Sequence, residues 1–360
     1  MSKLTVALLF GGPSSEHEIS CATAAGVLGA IDRNKYQVIP VGITKSGDWT
    51  LAVDDVSKWA LRKGELAVVE DQGNRVYFDD NQELIYSDPT ETKSLGKVDV
   101  VFPVLHGPYG EDGTLQRELE GIGVAYVGNG VKASEAGMDK ELSKDAFLAA
   151  GVPATPHVVI KLSDWERDPE TALEAVRGLG GLPLFVKPAR AGSSKGVSKV
   201  KTMGDFGAAV AEAFQHDDKL VVEHGIEGRE VEVAVLQDPN SNTPRVSVAG
   251  EIIVTGRDFY DFDAKYQDEA SVQLVIPAKL TAEELQEMQS LAAKAFNALG
   301  CEGLARADFF LTKSGFLINE INTMPGFTPL SMFPSLWQAS GIAYRDLIDE
   351  LIQLAFKRKK

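Results

Sequence analysis

Residues 305–322 read ARADFFLTKSGFLINEIN, two apolar runs separated by Lys313-Ser314-Gly315. A hairpin is the economical reading, because glycine at the third loop position takes the left-handed backbone that closes a three-residue turn at least cost. That turn pairs Thr312 with Phe316, Asp308 with Glu320 and Arg306 with Asn322. Residues two apart on a strand share a face, so Arg306, Asp308, Glu320 and Asn322 converge on one side. Ala307, Phe309, Leu311, Leu317 and Ile321 fall on the other, with Asn319 a polar exception among them. Two carboxylates and an amide oxygen suit a hard cation such as magnesium, which completes its shell with water and substrate phosphates. An ordinary Arg–Asp–Glu ion network on a solvated sheet face is the competing reading. A two-residue turn would shift the parity and send Asp308 to the wrong face.

Upstream lies LFVKPARAGSSKGVSKV (184–200), in which GSSKG follows a short apolar run ending in Lys187. Glycines let backbone N–H groups approach an anion, serine hydroxyls add donors, and Lys187 adds charge. The loop lacks the lysine–hydroxyl pair of G-x-x-x-x-G-K-[ST], and Gly11–Ser15 (GGPSS) does not match G-x-G-x-x-G. A phosphate cradle and a plain hairpin turn both fit the residues.

Outward from these stretches the chain alternates strands and helices. LTVALLF (4–10), the helix beginning EISCATAAG, and YQVIPVGI (36–43) open a parallel sheet. Residues 44–96 are charged and irregular, with strand-like pieces such as NRVYF. VDVVFPVLH (98–106), a helix from Thr114, and GVAYVGNG (123–130) close a first domain, 1–130. One helix over KASEAGMDKELSKDAFLAAG (132–151) opens a small central α+β domain, 131–229, whose two strands flank the glycine-serine loop. A C-terminal α+β domain, 230–360, holds VSVAGEIIV, the aromatic loop GRDFYDFDAKY (256–266), a helix from Thr281, the hairpin, the loop TMPGFTPLSMFP (323–334) and a last helix from Tyr344.

Composition narrows the class. At 360 residues with 44% hydrophobic content, the chain suits two or three globular domains. The net charge of −16, 52 acids against 36 bases, disfavours nucleic acid and anionic membrane as partners. Cys21 and Cys301 are too isolated for a zinc site or a disulfide framework, which suits a reducing cytoplasm. No run reaches the ~18 apolar residues of a membrane helix. The terminal KRKK reads as a solvated end, His17 as a surface or helix-start residue, and His157, His216 and His224 as structural.

Seven segments in order carry a resemblance: GGPSSEHEIS, LHGPYGEDGTLQ, MDKELSK, VKPARAGSSKGVSKV, YDFDAKY, ARADFF and NEINTMPGFTPLSMFP. Together they resemble the ATP-grasp carboxylate–amine ligases, and more narrowly the D-alanine–D-alanine ligase family over essentially the whole chain. The resemblance implies an ATP-grasp fold and a cytoplasmic homodimer. It implies that ATP drives the joining of two D-alanine molecules through a D-alanyl phosphate, for peptidoglycan precursors, with two Mg2+ (or Mn2+) ions. Carried over by position, it implies that Glu16 holds the first D-alanine's ammonium, with His106 and Glu111 on the substrate side. Lys140, Lys187 and Lys265 would contact ATP phosphates, with Ser193 and Ser194 in the loop over them. Glu223 would meet the adenine side and Glu230 the ribose. Arg306 would steady the oxyanion, Asp308, Glu320 and Asn322 would bind metal, and Ser331 and Met332 would seat the second D-alanine's carboxylate. Tyr266, linked through Ser193 to Glu16, goes in the family with an amine acceptor. Glu223-His224-Gly225 departs from the family in lacking the larger residues beside the adenine. The alternatives are a D-alanine–D-lactate (or D-serine) ligase and a nucleotide-binding relative without catalysis; the latter would be expected to lack at least one of the charged residues.

Overall fold

The computed structural model describes residues 3–61, 66–192, 194–254 and 272–358. β1 (Leu4–Gly11) leads through α1 (His17–Ala30) to β2 (Tyr36–Ile43), which pairs with β1 in parallel. β3 (Trp49–Leu51) adds an antiparallel edge. Beyond the one-turn helix α2 (Val56–Trp59), the charged stretch holds more order than its sequence suggested. β4 (Arg75–Phe78), β5 (Glu83–Ser87) and β6 (Thr92–Lys97) form a separate antiparallel sheet. It buries only Val76 and Leu84 against the neighbouring core, too few apolar positions to show as a periodic signal. β7 (Val100–Pro103), α3 (Thr114–Ile122) and β8 (Ala125–Tyr126) complete a five-stranded sheet ordered β3-β2-β1-β7-β8. β7 is shorter than its apolar run and ends at Pro103, which has no N–H to donate to a ladder.

The single helix expected over 132–151 is two, α4 (Val131–Met138) and α5 (Lys140–Ala149). Asp139 breaks it with extended backbone (φ −91°, ψ 109°), and its carboxylate accepts from the N–H groups of Glu141 and Leu142. That is an N-cap, and it overrides the helical propensity on either side. β9 (His157–Lys161), α6 (Leu162–Arg167), α7 (Pro169–Arg177), β10 (Leu184–Pro188), β11 (Ser198–Val200), α8 (Phe206–Ala213) and β12 (Lys219–His224) follow. Their strands make an antiparallel sheet ordered β11-β10-β12-β9.

β13 (Arg229–Leu236), β14 (Arg245–Val254), β15 (Val272–Val275), β16 (Leu304–Thr312) and β17 (Gly315–Asn322) make the last sheet, ordered β15-β14-β13-β16-β17. α9 (Ala282–Ala298) covers one face, started by a capping box between Thr281 and Glu284. The stretch expected as a loop over 323–334 already enters a helix, α10 (Met332–Ala339), and α11 (Tyr344–Ala355) ends the chain. These two helices return to the first sheet: Phe333, Leu336, Trp337, Leu347 and Leu351 share one buried cluster with Val6, Leu8 and Phe10. Leu115 and Leu119 of α3 cover Ala7 and Leu9 on the opposite face. A parallel sheet needs both faces covered, and here the chain's two ends supply one cover together. The terminal arginine is not solvated either, since Arg358 stacks 3.8 Å over the Tyr126 ring and pairs with Glu302 at 2.9 Å.

The hairpin differs from its expected form in an instructive way. Gly315 does take positive φ (109°), but it pairs directly with Thr312, so the turn is the two residues Lys313-Ser314. Leu311 then faces Phe316 and Phe309 faces Ile318, one residue off the three-residue register. A β-bulge at Asn319 restores the frame, and Asp308 faces Glu320 and Arg306 faces Asn322. The tight turn therefore leaves the site pairs as expected, while Leu317 moves off the buried face and Ile318 takes its place.

Candidate active site

A cleft of ≈1170 Å³ runs between the first sheet's loops, the central sheet and the last sheet. This volume exceeds the several hundred Å³ typical of a one-ligand pocket. Glu16, His106, Glu111, Lys140, Lys187, Ser194, Glu223, Glu230, Arg306, Asp308, Glu320, Asn322, Ser331 and Met332 all line it. Ser193, Lys265 and Tyr266 lie outside the described residues.

At one end, Lys187 stands at the end of β10 and Glu223 near the end of β12. Glu223 is buried between two ammonium groups, Lys187 at 2.8 Å and Lys144 at 3.0 Å. Burial alone would raise its pKa, but the charges of Lys144 and Lys187 outweigh that and push it well below the usual carboxylate range. Lys140 starts α5 because of the Asp139 cap; its N–H donates to Ala189 O and its Nζ to Ala191 O at 2.7 Å. Burial lowers the pKa of Lys140 and of Lys144. The two ends of GSSKG play different parts. A side chain at Gly196 (φ +70°) would meet His216 at 2.5 Å, so that glycine serves packing, whereas a side chain at Gly192, which borders the cleft, would meet nothing within 4 Å among the described residues.

On the hairpin, Arg306 donates to both Asp308 oxygens at 2.7 Å and pairs with Glu232 at 2.9 Å. Burial works against its charge, but Asp308 and then Glu232 more than offset it, so the guanidinium stays protonated. Asn322 Nδ2 donates to Asp308 Oδ2 at 2.9 Å, so its oxygen is the atom offered to a cation. Among the described residues no trio of His, Cys, Asp or Glu is arranged for a metal. A cation here would be held by two carboxylates, an amide oxygen and substrate phosphates, a donor set that fits magnesium.

At the other end, Glu16 sits on the loop entering α1, only 7% exposed. His106 is buried, with Nδ1 3.7 Å from Glu111 Oε1. Burial opposes a charge on His106, but the Glu111 carboxylate, with Glu16 nearby, raises its pKa; burial raises that of Glu111. Ser331 precedes α10, and no side-chain bond caps that helix, which leaves its first N–H groups at the cleft wall. The Ser331 hydroxyl bonds Thr328 Oγ1 at 2.8 Å instead.

Comparison with known proteins adds to this geometry. Residues 5–129 match the family described as D-ala D-ala ligase N-terminus, and residues 147–353 match D-ala D-ala ligase C-terminus. The chain is 53% identical to the D-alanine–D-alanine ligase of Paenarthrobacter aurescens, over 98% of this chain and 95% of that protein. It is 52% identical to that of Streptomyces avermitilis, over 99% and 95%. The chain belongs to the D-alanine–D-alanine ligase family.

Two solved structures agree with that membership. The VanG D-Ala:D-Ser ligase from Enterococcus faecalis superposes with a TM-score of 0.84 at 34% identity, covering 98% of this chain and all of that one. A D-alanine–D-alanine ligase from Coxiella burnetii gives 0.82 at 33%, covering 99% and 95%. The fold is the ATP-grasp fold of the D-alanine–D-alanine ligase family. Two buried charges escaped the sequence reading, Glu232 in the cleft wall and Lys144 behind it, paired to Glu223. Lys144 was legible only as the residue one helical turn after Lys140, and Glu232 only as the residue sharing a strand face with Glu230. His17 starts α1 as expected but is fully buried, not at the surface: its ring bonds Gly12 O at 2.7 Å and accepts from Val69 N–H at 2.9 Å.

Proposed function

We infer that the chain is an ATP-dependent ligase that joins two D-alanine molecules into D-alanyl-D-alanine for peptidoglycan, releasing ADP and phosphate. The observation that carries the reading is identity above 50% along nearly the full length of D-alanine–D-alanine ligases. Acidic and basic groups suited to both substrates also line one cleft.

In this reading the first D-alanine's carboxylate attacks the γ-phosphorus of ATP, the bond to the bridging oxygen breaks, and ADP leaves. The second D-alanine's amine then attacks the acyl carbon, phosphate leaves, and the nitrogen loses its proton. Positioning and charge neutralisation dominate such chemistry. Glu16 binds the first ammonium, with His106 and Glu111 beside the donor. Lys140, Lys187 and Ser194 attend the phosphates, joined by Lys265 and Ser193 from outside the described residues. Glu223 stands on the adenine side and Glu230 on the ribose side. Arg306 faces the oxyanion of the tetrahedral intermediate, and Ser331 with Met332 receives the second carboxylate at the start of α10, where a helix N-terminus favours an anion. Asp308, Glu320 and Asn322 would hold two Mg2+ (or Mn2+) ions, which supply charge neutralisation of the phosphates. Tyr266, with Ser193 and Glu16, favours an amine over a hydroxy-acid acceptor.

We take 1–130, 131–229 and 230–360 as the domains, a homodimer as the assembly and the cytoplasm as the location. Among the described residues no helix is long and apolar enough to cross a membrane, and both cysteines are buried thiols. Phosphate release from ATP and magnesium, with and without D-alanine, tests the function. Release that does not depend on D-alanine ends the reading, and release driven better by D-lactate as acceptor favours the hydroxy-acid alternative. Sedimentation velocity tests the dimer.

A further inference from the structure

Lys144 lies one helical turn beyond Lys140 on α5, yet its side chain is almost wholly enclosed. A buried lysine is costly unless its ammonium is fully paired. Here it has three partners, on two strands and on the segment ahead of β9. They are Glu223 Oε1 of β12 at 3.0 Å, Thr155 Oγ1 at 2.6 Å and the Asn319 carbonyl of β17 at 3.0 Å.

The third partner is the informative one. Asn319 is the bulge residue, unpaired in the β16–β17 ladder and next in sequence to Glu320. Bulges bend a strand and re-aim the side chains beside them. The segment ahead of β9 grips the same place, with Ile318 N–H donating to Pro153 O at 2.8 Å and Thr155 N–H to Ile318 O at 3.2 Å. Thr155 then presents its hydroxyl to Lys144. Through Glu223 the same ammonium also bears on Lys187.

We propose that Lys144 is a positioning residue that ties the hairpin bulge to the Glu223–Lys187 pair, so that the aim of Glu320 and Asn322 and the seat of Lys187 are set by one buried ammonium. The proposal rests on the reading of Asp308, Glu320 and Asn322 as cation ligands. Lys144 touches neither substrate nor cation in this scheme. It acts as outer partners of metal ligands do, where loss typically costs about 10- to 100-fold in metal affinity.

The test is Mn2+ titrated into the full-length protein with saturating ADP, the free ion followed by its paramagnetic resonance signal. Lys144→Met, which keeps the side chain's length and removes its donors, weakens Mn2+ at least about tenfold. The Mg2+ concentration for half-maximal turnover rises with it, while the KM for D-alanine stays near wild type. A merely structural lysine would lower the thermal midpoint without changing the affinity of the folded fraction. Wild-type Mn2+ affinity in folded Lys144→Met overturns the proposal. If that variant does not fold, Thr155→Val, which removes only the hydroxyl partner, gives a smaller weakening in the same direction, and unchanged affinity there overturns it equally. Glu320→Gln is the control. If it also leaves Mn2+ affinity unchanged, the cation reading itself fails; if it weakens binding while Lys144→Met does not, only the role of Lys144 fails.

Discussion

Lys187 and His17 show how differently single residues are legible. A lysine closing an apolar strand before a glycine-serine loop fits an anion site and a plain hairpin turn alike, and the fold adds that Lys187 lines the cleft. Lys187→Ala should lower kcat/KM for ATP at least about a hundredfold, the usual loss for one preorganised donor. The chain should stay folded, because Lys144 remains to pair Glu223. A near-normal rate in the purified variant would remove Lys187 from its role. His17 gave no signal, since nothing in EHEIS says that Val69 N–H will arrive at its Nε2. Burial is the main cause of its lowered pKa, partly opposed by the Gly12 carbonyl and Glu18, with Lys45 adding to the lowering. The native state therefore takes up this proton at lower pH than the unfolded chain. The stabilisation is complete above the ordinary value of about 6.5 and is lost as pH falls through the lower native value. Denaturant titrations should show wild type losing stability below about pH 6.5 relative to His17→Asn, by at most about 1.4 kcal/mol per pH unit. Parallel pH profiles would sink that assignment.

The hairpin and α10 carry the lesson for elements. Strand pattern and turn chemistry agreed on β16 and β17, but the turn length did not, and Asn319 absorbed the difference as a bulge. The hydrophobic pattern decided the frame: Phe316, Ile318 and Ile321 all reach the core, which a continuous two-residue register would not allow. Gly315→Ala should destabilise by about 1–2 kcal/mol, because φ of 109° disfavours any Cβ, while the nearest atom to a methyl there, Glu287 Oε1 at 3.8 Å, is at ordinary contact distance. An unchanged unfolding midpoint would contradict that turn. α10 was hidden for another reason, since Pro325, Pro329 and Pro334 read as loop, and only packing of Met332 and Leu336 on β14 reveals a helix. A methyl at Gly250 would lie 2.5 Å from Met332 Sδ and 3.1 Å from Leu336. Gly250→Ala should therefore displace the start of α10 and raise the acceptor KM several-fold with the ATP KM little changed. Equal effects on both substrates would argue against α10 as the acceptor's seat.

The molecule as a whole is held by contacts that join distant stretches. Asn129, buried after β8, donates to Leu304 O and Thr323 O at 2.7 Å each and accepts from Glu302 N–H at 2.8 Å. Asn129→Ala should cost about 2–4 kcal/mol in chemical denaturation, since each buried backbone group left unpaired costs about 1–3 kcal/mol. A loss within a few tenths would show that water replaces the amide. Much was readable in advance because it is local: the opening β-α-β, the capped helix from Thr281, and the alternation that puts Arg306 with Asp308 on one strand face and Glu320 with Asn322 on another, although it took the bulge at Asn319 to bring the two pairs together. Periodicity, caps and turn glycines act over a few residues, so the chain states them outright. The enclosure of Lys144, the second carboxylate on Arg306, the hold of His17 on Val69 and the return of α10 and α11 to the first sheet could not be read that way. Each depends on which surfaces meet across 50 or more residues of chain, or on how much water is left around a charge, and both are set only when the sheets pack.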